Sequence, residues 1–124
     1  MNTYGMAIEP RIHARLSEDL SALAVFPTVA SDGAQPPFLV YTVTSADTAN
    51  SLSGPSDLTL YSFTVDSYAL TAPDLLTLMA SVKVSLHGWR DAEEDVMHCW
   101  QTSHSTTPAD NGYQGQQSFN IWAK

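Results

Sequence analysis

A chain of 124 residues is long enough to bury one core, and 44% apolar against 15% charged content excludes a disordered polymer. Five basic against thirteen acidic residues give a formal charge of −8, which excludes a surface built to grip a phosphate backbone, because that grip rests on Lys and Arg. No apolar run approaches the roughly 20 residues a membrane helix needs, Met1 to Met6 lack the basic start and apolar stretch of a signal peptide, and the single Cys99 leaves no intrachain disulfide, as suits a reducing compartment.

The first predicted element is a helix over Pro10 to Leu23. Ile12, Leu16, Leu20 and Leu23 recur at helical spacing, and Pro10 suits a first turn, where its missing N–H is not required. Leu23 to Val29, with Pro27 inside, is compatible with a short extra edge strand, since proline cannot donate to a central ladder. Phe38 to Thr44 is β-branched and aromatic and reads as a buried strand. Ser45 to Ser56 is small, polar and punctuated by Gly54 and Pro55. It reads as a long hairpin connection or as two strand ends extending beyond the sheet.

Leu58 to Tyr68 is the returning strand, with Tyr61, Phe63 and Val65 alternating with Ser62, Thr64 and Asp66. The corner Ala69 to Asp74 holds no glycine and no nucleophile. Its residues are capping residues: Thr71 as the cap, Pro73 in the first turn and Asp74 at the capping-box position. The helix that follows carries the stripe Leu75, Met79, Val82 and Leu86, and Gly88 ends it. An acidic loop, Asp91 to Asp95, leads to a strand at Val96 to Ser103. A turn-rich segment with Pro108 and Asn111-Gly112 then precedes a last strand ending at Trp122. The order α-β-β-α-β-β predicts an α+β domain spanning residues 1–124, an antiparallel sheet with both helices on one face.

Candidate chemistry is sparse. His98, Cys99 and His104 are metal-ligand types close in sequence, but neighbours on a strand point to opposite faces and paired CxxC or HxxxH spacing is absent. His87 sits at a helix end, where a cation suits the dipole. Glu93-Glu94-Asp95 is a contiguous run of the kind found in solvated loops, whereas acid–base work needs carboxyls in unequal environments. No GxSxG elbow, P-loop or dinucleotide fingerprint occurs. Trp89, Trp100 and Trp122 read as core or subunit-interface anchors rather than a stacking platform. The expectation is a protein without catalytic residues, cofactor or metal: not an enzyme.

Across nearly the whole chain, in order, the sequence resembles the tail terminator, or tail completion, proteins of long non-contractile-tailed phages and their relatives. The similar features are a helix opening at Ile8-Glu9-Pro10, the strand Pro37-Phe38-Leu39-Val40-Tyr41 and the tripeptide Ser53-Gly54-Pro55. They continue with Phe63-Thr64-Val65-Asp66-Ser67-Tyr68, Leu86-His87-Gly88-Trp89 and the terminal Phe119-Asn120-Ile121-Trp122. The stretch from Asp91 to Gln117 matches only loosely. The resemblance implies a homo-oligomeric ring, usually a hexamer, in the tail or neck of a virion made in a bacterial cytoplasm. Such a ring caps the head-proximal end of the tail tube and ends its polymerisation. It meets the tail tube protein on one side and a head-completion or stopper protein on the other, with genome DNA passing through the lumen without specific binding and no membrane involved. The hairpin from Thr44 to Asp57 is expected to reach an adjacent ring or subunit, and the lumen to be acidic or neutral. Two other readings stay open: another neck component, or a small cytosolic ligand-binding or enzymatic domain with a deep polar pocket.

Overall fold

The computed structural model describes residues 4–21, 23–27, 33–51, 54–91, 96–109 and 112–123. Helix α1 spans Tyr4–Asp19. It opens before Pro10 and closes before Leu23, which corrects both predicted ends. The reason for the early start is Ile8, which together with Ile12 and Leu16 forms a fully buried stripe at a spacing of four. Pro10 therefore lies inside the helix, on an exposed position off that stripe. Burial of Ile8 offsets the backbone bond that proline cannot make. Leu20 and Leu23 lie beyond the helix end and still pack against the core.

Strand β1, Ala24–Pro27, runs parallel to β2, Phe38–Ser51, pairing Ala24 with Phe38 and Pro27 with Tyr41. This is the predicted edge strand, and it makes the sheet mixed rather than purely antiparallel. Strand β2 pairs antiparallel with β3, Gly54–Ala69, from Phe38↔Tyr68 out to Ser51↔Gly54. Of the two readings of Ser45 to Ser56, the structure takes the extended strand ends over 45–51 and 54–56, with register shifts at Val43/Ser45 and Thr48/Asn50, while Leu52 and Ser53 lie outside the described residues. Helix α2 spans Ala72–Leu86. Thr71 caps it as predicted, its Oγ1 accepting from the Asp74 N–H at 3.3 Å. Gly88 leaves the helix at φ +86°, a left-handed conformation that favours glycine.

Strands β4, Val96–Ala109, and β5, Gly112–Ala123, form a second long hairpin. The segment around Pro108 and Gly112, expected as an extended run of turns, is mostly strand. At Gly112 a Cβ would run into the carbonyl oxygen of Ala69, so the hairpin end can approach β3 only through glycine. Glu93 to Asp95 of the predicted acidic loop, and Asn111, lie outside the described residues.

The sheet order is β1-β2-β3-β5-β4, with β3 and β5 antiparallel in the middle. Both helices cover the same face. Their stripes (Ile8, Ile12 and Leu16; Leu78, Val82 and Leu86) share one core cluster with Leu39, Tyr41, Phe63, Val65, Phe119 and Ile121. Phe63 and Phe119 stack at its centre, 5.4 Å between rings. A polar clamp ties the two helices together. Arg15 donates from Nε to the Ser85 carbonyl (2.9 Å), and the Ser85 hydroxyl donates to Asp19 Oδ2 (2.6 Å). The Arg15 guanidinium lies 5.4 Å from the centre of the Trp89 ring, a cation–π arrangement that assigns buried Trp89 to the core.

Candidate assembly surfaces

The residues singled out for chemistry do not converge. Cys99 points into the core and is fully buried; burial pushes its thiol up to about 12, against a smaller opposing pull from Arg15. His98, one residue away, faces the other side of the sheet and stacks on Trp100 at 5.3 Å. His104 lies out on the exposed end of β4. Among the described residues no group of three His, Cys, Asp or Glu stands where it could hold a metal, and no helix is long and apolar enough to cross a membrane. His87 has a bonding role that the sequence did not show. As the residue closing α2, its Nδ1 accepts from the Gln101 N–H at 3.0 Å and ties the helix end to β4.

What the fold does assemble is a set of surfaces, and the first is the sheet face away from the helices. Strand alternation places Phe38 and Val40, then Ser62, Thr64, Asp66 and Tyr68, then Gln114 to Trp122 at every second position on this face. At one end Phe38 stacks on Tyr68 (4.6 Å) and meets the edge of Phe26 (5.8 Å). At the other end half-exposed Trp100 and Trp122 flank His98. The band between them is polar, with the Ser62 hydroxyl donating to Asn120 Oδ1 at 2.8 Å. Asp66 sits in that band. Burial raises its carboxyl above the usual carboxylate range, against hydrogen bonds from Gln116 and Gln114 that pull it down. Its Oδ1 is buried without a hydrogen bond.

The second surface is the outer edge of β4. From Val96 to Gln101 this edge is occupied by the segment that follows α2. Gly88 N–H donates to the Cys99 carbonyl (2.7 Å), Cys99 N–H to the Trp89 carbonyl (3.1 Å), and Asp91 and Val96 exchange both backbone bonds at 2.8 Å. From Thr102 to Pro108 every residue is exposed. The third surface is the outward side of α2, where Leu76 and Val84 are 61% and 81% exposed, with Ala80 between them on the same helical row. A helix whose inner stripe is fully buried has no packing reason of its own to carry these.

In fold the chain is similar to a chain of a solved particle described as the virion of the native gene transfer agent. The two share 12% sequence identity and a TM-score of 0.59, and the match covers 90% of each chain. No family model matches the chain, and no curated protein matches it in sequence.

Proposed function

We propose that this protein is a structural subunit of a phage-type virion, the tail terminator ring at the head-proximal end of the tail tube. The observation that carries the reading is the fold likeness to a virion chain over 90% of both chains, in a sequence whose ordered features resemble tail terminators. The geometry supports it as well. The molecule brings no catalytic or metal-binding groups together among its described residues, and it presents a half-open sheet face, a free strand edge and an apolar outer helix row. These are surfaces for neighbours rather than for a small substrate. In this reading subunits associate head to tail and close, in the usual case as a hexamer. One ring face copies the contacts of a tube ring and the other does not, so growth ends there. The lumen is acidic or neutral, because each Lys or Arg contact to phosphate would hold back DNA in transit.

The test is to polymerise the matching tube protein with and without this chain and measure tube lengths by negative-stain microscopy. Shortened tubes carrying the protein at one end are expected. Equally long tubes that never carry it would overturn the terminator reading, and localisation to a ring on the head side would favour a stopper instead. A dilute monomer is compatible with the proposal, since the tube end can template the ring by mass action.

A further inference from the structure

The free half of β4 is an unusual edge. Folded proteins blunt exposed strand edges with charge, cover or brevity, yet Thr102 to Ala109 carries no Lys, Arg, Asp or Glu, and Pro108 interrupts it only near its end. Behind it a groove of about 240 Å³ runs between β4 and α2. Leu76, Ala80 and Lys83 line its helix wall, with His104 and Thr106 on the strand and Gln117 at the floor. Gln117 is 2% exposed. Its Nε2 donates to the Met79 carbonyl and to Gln101 Oε1, both at 2.9 Å, which uses both amide hydrogens and fixes which way the amide points. Its Oε1 is then a buried acceptor with no donor. An open strand edge beside an apolar helix flank, with an unanswered acceptor at the base, has the form of a strand-addition site.

We propose that this groove receives the β2–β3 ribbon of a second copy of the chain, which adds as an extended strand to β4 from Thr102 to Pro108. Charge selects the occupant. The groove is lined by Lys83 and His104 and by no carboxylate, in a chain where acids outnumber bases thirteen to five. From Thr44 to Leu58 the sequence holds Asp47 and Asp57, no Lys, Arg or His, and many Ser, Thr and Asn, residue types that donate hydrogen bonds. Position makes the contact intermolecular. Strand β5 ends beside β3 at Thr59↔Ala123, and past that point, among the described residues, β2 and β3 pair only with each other. The free half of β4 lies at the opposite end of the sheet, where Thr106 pairs with Gly115 and Ala109 with Gly112. Donor and acceptor at opposite ends of one molecule meet head to tail, which is the contact a closing ring repeats. The inference deepens the ring reading above by naming the two surfaces that meet.

The experiment is disulfide trapping between copies. Asp47 and Thr106 are both exposed, and the native Cys99 is buried. A mixture of Asp47→Cys and Thr106→Cys single variants, oxidised at high concentration, should yield a covalent heterodimer. Asp47→Cys mixed with Ala14→Cys, an exposed position on α1, should yield far less. Independently, Leu76→Glu and Thr106→Glu should each weaken self-association at least tenfold in sedimentation velocity while leaving the melting curve intact, since both sites are exposed. Equal trapping at Ala14 and Thr106, or unchanged association in both glutamate variants, overturns the docking. If those variants still form rings that cap tubes, the docking fails and the ring reading survives. If the wild-type chain never caps tubes, the ring reading fails while the trapping result still decides the contact.

Discussion

The two faces of the sheet are built from the same strands and differ in what they ask of a partner. The helix-covered face is finished within one chain: Leu39, Val65, Cys99 and Ile121 are fully buried beneath α1 and α2. The opposite face keeps Thr42, Ser62, Thr64 and Asn120 half-exposed between two aromatic ends. Alternation along each strand produces both, so every residue shift in register would exchange them. The difference teaches which surfaces the fold itself requires and which it leaves over. Contacts on the covered face hold the fold together, and the surfaces left over (the open face, the free half of β4, the outer row of α2) lie outside that packing.

Truncation on the two faces is the strongest test of that division. Phe63→Ala removes a ring stacked in the core and should cost about 3–5 kcal/mol, enough to unfold a marginal domain. Thr64→Ala, its neighbour on the open face, should stay within about 1 kcal/mol. Urea denaturation of both variants measures the contrast, and similar losses would erase it. A smaller effect is expected at Gly115, where a Cβ on the covered face would strike the Met79 side chain. Gly115→Ala should destabilise by roughly 1–3 kcal/mol through overpacking. The loss should shrink when Met79→Ala is added, and a strictly additive pair would show that the collision is not the cause.

Cys99 probes the covered face by titration. Its thiol is raised to about 12 from an ordinary 9.0. The neutral form is the one the fold keeps, so its stabilising contribution is complete below pH 9 and is lost as pH rises toward 12. Between pH 8 and pH 10 this group alone should remove on the order of 1 kcal/mol. The Cys99→Ala variant should lack that increment in denaturation at the two pH values. The same burial should keep Cys99 unreactive toward alkylating reagents until the chain unfolds.

Much of this architecture was legible in the residues, and the parts that were not share a cause. Helix α2 was readable because Thr71, Pro73, Gly88 and the stripe from Leu75 to Leu86 are local signals that agree with one another. The α+β class followed from element order. The first helix was misplaced because Pro10 marks a plausible first turn, while Ile8, the residue that outweighs it, matters only through burial against the sheet. The long reach of β4 is illegible in the run around Thr106, and around Asn50 the sequence leaves a loop and extended strand ends equally open. Small polar residues carry no strand signal there, and pairing with the neighbouring strand decides the conformation. The candidate surfaces were least legible of all. The free half of β4 exists because His87 to Asp91 covers the other half, and the unpaired oxygen of Gln117 exists because Met79 and Gln101 take both its hydrogens. Such relations between distant residues have no spacing to read.

The smallest expected effect lies on the open face and has the opposite sign to the others. Asp66 is half-buried between Val40 and Gln116, its register neighbours, and burial is the leading cause of its raised carboxyl. The protonated form is favoured by the fold, so the stability this group allows is complete below the ordinary carboxylate range and declines as pH rises through its folded value. Ionising Asp66 therefore works against the fold of the isolated chain. Asp66→Asn should raise the melting temperature at pH 7, with a gain that fades toward pH 3, where the wild-type carboxyl is already neutral. Thermal scans of both proteins at the two pH values give the answer. A gain that persists undiminished at pH 3 would mean that packing or hydrogen bonding, not charge, is responsible. A loss at pH 7 would mean that the hydrogen bonds from Gln114 and Gln116 to the carboxylate outweigh its desolvation.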